Sequence, residues 1–156
     1  MTQHKADTEE PRVSIGSLGE FDMYGLLLPK NLIYNGAGDL SDVITIPASM
    51  AVQMTLNILK MWDIQANAWG SVLGVTSERV EDYKKGHFPT ETAELQRLED
   101  LIAIYKALKI KIPDDNLAHN WCSKPNGYFD GRRPIDVILA EGTQVVRRLI
   151  EGLCAN

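Results

Sequence analysis

Cysteine is scarce in this chain of 156 residues: only Cys122 and Cys154 occur. Two thiols build no disulfide framework, and free thiols in a cytoplasmic protein are the expectation. Long hydrophobic runs are missing too, since no stretch approaches the roughly 20 apolar residues of a membrane span. The opening, M-T-Q-H-K-A-D-T-E-E-P-R, lacks the apolar centre of a signal peptide, which again leads to a cytoplasmic expectation. A basic block is the third absence. Residues 1–47 carry three basic and seven acidic side chains, 48–120 eight and ten, and 121–156 five and four. A nucleic-acid binder usually concentrates its cations on one face. A net charge of −5 distributed this way better suits a basic partner, or a partner whose cationic pocket holds a phosphate-bearing cofactor.

Signatures of catalysis are missing as well. There is no Gly-x-Ser-x-Gly elbow and no Walker-type phosphate loop. Gly36-x-Gly38 has Ser41 where a dinucleotide fingerprint needs its third glycine. Asp114-Asp115 reads as a helix start rather than an acid and base pair. His119 and Cys122 would share a helix face, but two ligands do not complete a zinc site. No catalytic residue, metal site or cofactor is therefore assigned, and an enzyme is not expected. No internal repeat or low-complexity linker is visible.

What is present is an ordinary globular mixture, 44% apolar and 24% charged, long enough for one core or for two small lobes sharing one. Residues 1–12 read as a tail. Residues 13–47 read as an arm with one or two extended pieces that docks on the body or on a second copy. Leu26, Leu27 and Leu28 end at Pro29, Val43-Ile44-Thr45-Ile46 ends at Pro47, and residues 35–39 form a turn cluster between them. After Pro47 a helix over residues 48–61 places Met50, Met54, Ile58 and Met61 on one stripe, the usual use of methionine as gap-filling core.

Residues 65–86, Q-A-N-A-W-G-S-V-L-G-V-T-S-E-R-V-E-D-Y-K-K-G, carry a second pattern. A helix-turn-helix needs a short turn, commonly with glycine in it, and Gly74 suits it because glycine takes positive φ without a Cβ clash. Gly70 falls where a side chain would collide with the partner helix. Trp69, Leu73, Val75, Val80 and Tyr83 fall where the small core needs apolar groups. The segment is similar to the Xre-type DNA-binding fold. A recognition helix over residues 76–85 would turn Val80 and Tyr83 inward and Thr76, Ser77, Glu78, Glu81, Asp82 and Lys85 outward. Three carboxylates would then face phosphates, although Thr76, Ser77, Arg79, Lys84 and Lys85 remain candidate DNA contacts. Sequence-specific DNA binding and purely structural use both stay open.

Thr90 is expected to cap a long helix striped by Leu95, Leu98, Leu101, Ile102, Tyr105 and Leu108 and ended by Pro113. Asp114 should cap a short one after it. The chain then reads W-C-S-K-P-N-G-Y-F-D-G-R-R-P-I-D-V-I-L-A-E-G-T-Q-V-V-R-R-L-I-E-G-L over residues 121–153. A loop leads to Arg133-Pro134, a favoured helix start. Glu141-Gly142 stops that helix, and Thr143 is placed to cap the last one. Tyr128 and Phe129, beside glycine in a loop, are exposed unless something covers them, so both are candidate interface anchors. Asn126 and Asp136 read first as loop-fixing groups bonded to backbone donors. Arg132, Arg133, Arg147 and Arg148 are either solvated or aimed at a partner.

This C-terminal string resembles the toxin-binding domain shared by MbcA-, ParS- and Xre-type antitoxins, over roughly the last fifth to quarter of the chain. Together with the residue pattern it leads to an all-α protein with an N-terminal extended arm (1–47), which departs from a minimal antitoxin, a helix-turn-helix lobe (48–89), and a long connecting helix with a toxin-binding lobe (90–156). It implies binding and steric block of a RES-domain toxin that consumes NAD, the cofactor belonging to the partner. The toxin-facing residues would be Trp121, Asn126, Tyr128, Phe129, Arg132, Arg133, Arg147, Arg148 and Asn156. Repression of the pair's own promoter and a homodimer, enlarged by the toxin, are further implications. The alternative is a stand-alone transcription regulator whose C-terminal domain only dimerises.

Overall fold

Proline and turn residues set most of the boundaries. A computed structural model describes residues 10–16 and 44–155. Residues 26–28, the turn cluster at 35–39 and Asn156 lie outside the described residues. Two short strands, β1 (Arg12–Gly16) and β2 (Ile44–Pro47), precede seven helices among the described residues. These are α1 (Ala48–Met61), α2 (Trp69–Leu73), α3 (Ser77–Lys84), α4 (Thr92–Lys111), α5 (Asp115–Asn120), α6 (Pro134–Glu141) and α7 (Thr143–Ala155). Single 3-10 turns lie at Ala66–Ala68, Trp121–Ser123 and Gly127–Phe129. The fold is helical, with one small sheet.

The strands pair antiparallel, with Val13 opposite Ile46 and a bulge between Ser14 and Gly16. Arg12 fastens them, its Nε donating to Thr45 Oγ1 at 2.9 Å and Nη2 to the Thr45 carbonyl at 2.8 Å. Val13, Ile15 and Ile46 are buried, because period-2 alternation sends them to the one covered face. The two described ends of the arm thus dock on the body.

The expected methionine stripe is core: Met54 and Ile58 are fully buried in α1, while Met50 and Met61 pack at its edge. The central element is α4. Its carboxylate near the N-terminus, Glu94, and its cations near the C-terminus, Lys109 and Lys111, suit the helix dipole. Leu98, Leu101, Ile102, Ile104, Tyr105 and Leu108 are all buried, so nearly every side of this helix meets protein. It packs on α1, on α7 and on β1. One apolar cluster consequently runs from Val13 to Ile150. Thr90 does not cap it: Glu91 stands in the cap position without a side-chain bond, and the first turn closes from Leu95 N to the Glu91 carbonyl at 3.0 Å.

The α2–α3 unit has the expected helix-turn-helix turn. Gly74 sits at φ 74°, and the Arg97 guanidinium lies over it while donating to the Val72 carbonyl at 2.9 Å. That bond satisfies an otherwise orphaned carbonyl at the helix end. A Cβ on Gly70 would stand 2.7 Å from the Val75 carbonyl oxygen, so the obstacle is the turn backbone itself. Gly70→Ala is expected to cost about 1–3 kcal/mol by overpacking, read as a fall of several degrees in melting temperature. An unchanged melting temperature would mean the turn gives way freely.

Candidate functional site

The loop of residues 126–132 closes on Asn126. Its side-chain oxygen accepts the Tyr128 N–H at 2.8 Å. Its backbone carbonyl accepts from Phe129 N at 3.0 Å and Gly131 N at 2.9 Å, and its own N–H donates to the Arg132 carbonyl at 3.1 Å. Asp130 and Gly131 follow with φ of 57° and 83°, left-handed values that Asp tolerates and Gly takes freely. Asn126 is therefore the loop-fixing group expected of it.

Tyr128 and Phe129 part company here. Tyr128 is 64% exposed and Phe129 only 5%. Trp121, itself half-buried, covers the Phe129 ring edge-on, with centroids 6.2 Å apart and planes at 67°. The expectation that both rings stand free is corrected for Phe129. Residues 127–129 form a 3-10 turn, whose side chains leave about 120° apart, so two neighbours cannot share a face.

The arginines differ just as much. Arg133 grips Asp136 with two bonds, Nε to Oδ2 at 2.7 Å and Nη2 to Oδ1 at 2.9 Å. That hydrogen bonding holds the Asp136 carboxyl below its usual range and raises Arg133 in turn. Asp136, expected to bond backbone donors, is instead half of an ion pair. Arg132 donates from Nη1 to Glu141 at 2.8 Å and from Nε to the Phe129 carbonyl at 3.2 Å.

Arg147 turns inward. Its Nη1 donates to Asp100 Oδ1 at 3.0 Å and its Nε to Glu151 at 3.1 Å, with Glu99 at 3.6 Å. Asp100 is buried in α4 and takes two more donors, Thr143 Oγ1 at 2.9 Å and Gln96 Nε2 at 3.1 Å. Thr143 is thus the first residue of α7 rather than its cap, its hydroxyl spent on Asp100. Arg148 is exposed and has no recorded partner among the described residues. With Tyr128, Phe129, Asp130, Arg132, Val145 and Leu149 it lines a shallow depression of about 450 Å³.

Cys122 is fully buried, and burial pushes its thiol up to about 12. His119 has its pKa lowered by burial and then by Lys109. Among the described residues no group of three His, Cys, Asp or Glu is placed to hold a metal ion, and no helix is long and apolar enough to cross a membrane.

On α3, Val80 and Tyr83 are buried and Ser77, Glu78 and Glu81 exposed, with Thr76 capping the helix through its hydroxyl on Arg79 N at 3.1 Å. The cations expected at DNA are partly occupied. Arg79 pairs with Glu94 at 3.2 Å and lies 5.4 Å over the Tyr83 ring. Lys84 pairs with Glu81 at 3.0 Å and lies 5.3 Å over Trp69. Burial, then the bond to Glu94, raises the Tyr83 phenol, which stays protonated and donates to that carboxylate. Lys85 is exposed at the helix end. Sequence reasoning missed Asp100, which reads as one more acid in a charged helix; only its place between the core positions Leu98 and Leu101 marks it as buried.

No family model matches this chain. Among solved structures, a chain from the crystal structure of the M. tuberculosis MbcT-MbcA toxin-antitoxin complex is similar at a TM-score of 0.48 and 20% identity, over 69% of this chain and 93% of that one. The uncharacterized protein y4oB of Sinorhizobium fredii (strain NBRC 101917 / NGR234) is 30% identical over 107 residues, covering 67% of this chain and 80% of that protein. On that extent of identity, this chain belongs to the same family as y4oB.

Proposed function

We propose that this chain is an antitoxin that binds a RES-domain, NAD-consuming toxin and covers the entrance to its active site. The observation that supports this reading is the construction of residues 121–153. The W…P-N…G-R-R-P-I-D-V-I…E-G string, with its resemblance to antitoxin toxin-binding domains, folds into a loop locked by Asn126 and two helices. Beside them lies an exposed depression ready to be covered. Steric block asks no chemistry of this chain; it asks for a rigid surface, which lowers the ordering cost of association. Trp121, Asn126 and Phe129 hold that surface in shape, and Arg132 lines it.

Repression of its own promoter is proposed for the assembled complex. A single α3 face, with Glu78 and Glu81 exposed on it, Asp82 half-buried and Arg79 and Lys84 engaged, gains little from phosphates. Several such faces held together in a dimer or larger complex regain affinity by multivalency.

Co-expression with the protein encoded beside this chain tests the reading, followed by co-purification and a measurement of cellular NAD. The expected result is a stable complex with the intact chain and preserved NAD. If the neighbour depletes no NAD and nothing co-purifies, neutralisation is ruled out. Operator binding by this chain alone would then support the stand-alone regulator.

A further inference from the structure

We infer that the depression between the 127–131 loop and α7 takes a partner segment carrying one carboxylate beside an apolar side chain, anchored by Arg148 and Tyr128. The inference rests on the antitoxin reading only for the partner's identity. Four arginines lie in the C-terminal unit, and three have carboxylates within the molecule: Arg132 with Glu141, Arg133 with Asp136, Arg147 with Asp100 and Glu151. Arg148 alone has none recorded among the described residues. It is exposed at the rim of the depression, next to a floor of Phe129, Val145 and Leu149.

Helical spacing explains that grouping. Val145, Arg148 and Leu149 recur at i, i+3 and i+4 and so share one face of α7. Arg147, one residue earlier, is rotated about 100° away, toward Asp100. Val145 and Leu149 are only half-buried, which leaves apolar area for an incoming aliphatic or aromatic group. Covering that floor also strips water from the neighbouring guanidinium. Desolvating an unpaired charge is costly, so an occupant that supplies a carboxylate to Arg148 is selected over one that does not. Asp130 stands on the same rim without an ion pair to Arg148, and it repels a second carboxylate. The face thus prefers a single acid to an acidic run. Tyr128, mostly exposed with a large ring and few rotatable bonds, is the kind of side chain that anchors interfaces.

Methyl NMR on the full chain tests the surface without any partner. Hexanoate and hexanol are the probes, read at the Val145 and Leu149 methyls. Hexanoate is expected to bind at least about threefold more tightly than hexanol, a preference removed by Arg148→Gln. A hexanoate no better than hexanol, or a preference that survives Arg148→Gln, overturns the inference.

The second arm uses the co-purified toxin. Arg148→Glu and Tyr128→Ala are each expected to weaken the complex at least about tenfold, with circular dichroism and melting temperature unchanged. A complex that forms but ignores both substitutions overturns this inference and leaves the antitoxin reading standing. If the wild-type chain binds no toxin, the antitoxin reading falls and the hexanoate preference alone decides the surface.

Discussion

Replacing Asp100 by alanine is expected to lower the unfolding free energy by about 3 kcal/mol, within the range for breaking a buried charge pair. The carboxylate is 2% exposed and accepts from Thr143, Arg147 and Gln96. Removing it leaves the buried Thr143 hydroxyl without its acceptor, a loss of about 1–3 kcal/mol. Arg147 suffers less. Its side chain is 26% exposed and keeps Glu151 and Glu99, so solvent and those carboxylates absorb part of the cost. Asp100→Asn keeps an acceptor for Thr143 and should lose only about half as much. Urea unfolding at constant m-value measures both. A deficit below about 1 kcal/mol for the alanine variant would show that the α4–α7 contact is held by its apolar surface alone.

Phe129→Ala carries the second large effect, about 3–4 kcal/mol for truncating a buried aromatic ring, with a further part from the lost edge-to-face contact with Trp121. Tyr128→Ala, one residue away, is expected to change stability by less than about 0.5 kcal/mol, as an exposed substitution does. Thermal melts of the two variants separate packing from presentation. Equal losses would mean that the 3-10 turn, and not the burial of one ring, is what each substitution damages.

Much of this architecture was legible in local chemistry. Pro47 and Pro134 start helices where their fixed φ suits them, Asp114 caps through its bond to Leu117 N, and Gly142 stops α6 at φ 101°. Gly74 lies in the left-handed turn that a residue without Cβ enters most cheaply. What sequence could not supply was pairing across distance. β1 meets β2 across residues that carry no register signal, and Asp100 meets Thr143 and Arg147 more than forty positions away. Periodicity reports which side of a helix is apolar; it does not report which polar group that side will be asked to shelter. The same gap explains the arginines, alike in the string and divided in the fold by 100° steps around α7 and by the nearest carboxylate.

The buried clamp has a consequence for how this molecule can be dismantled. Asp100 belongs to α4, but Thr143 and Arg147, which complete it, belong to α7. A protease nick that freed the final helix would uncover a carboxylate and an apolar strip in the helix that also supports α1 and the β-strands. The remainder, α2 and α3 included, shares that core and is expected to lose stability with it. Loss of the final helix and loss of the whole fold are then expected to be one event.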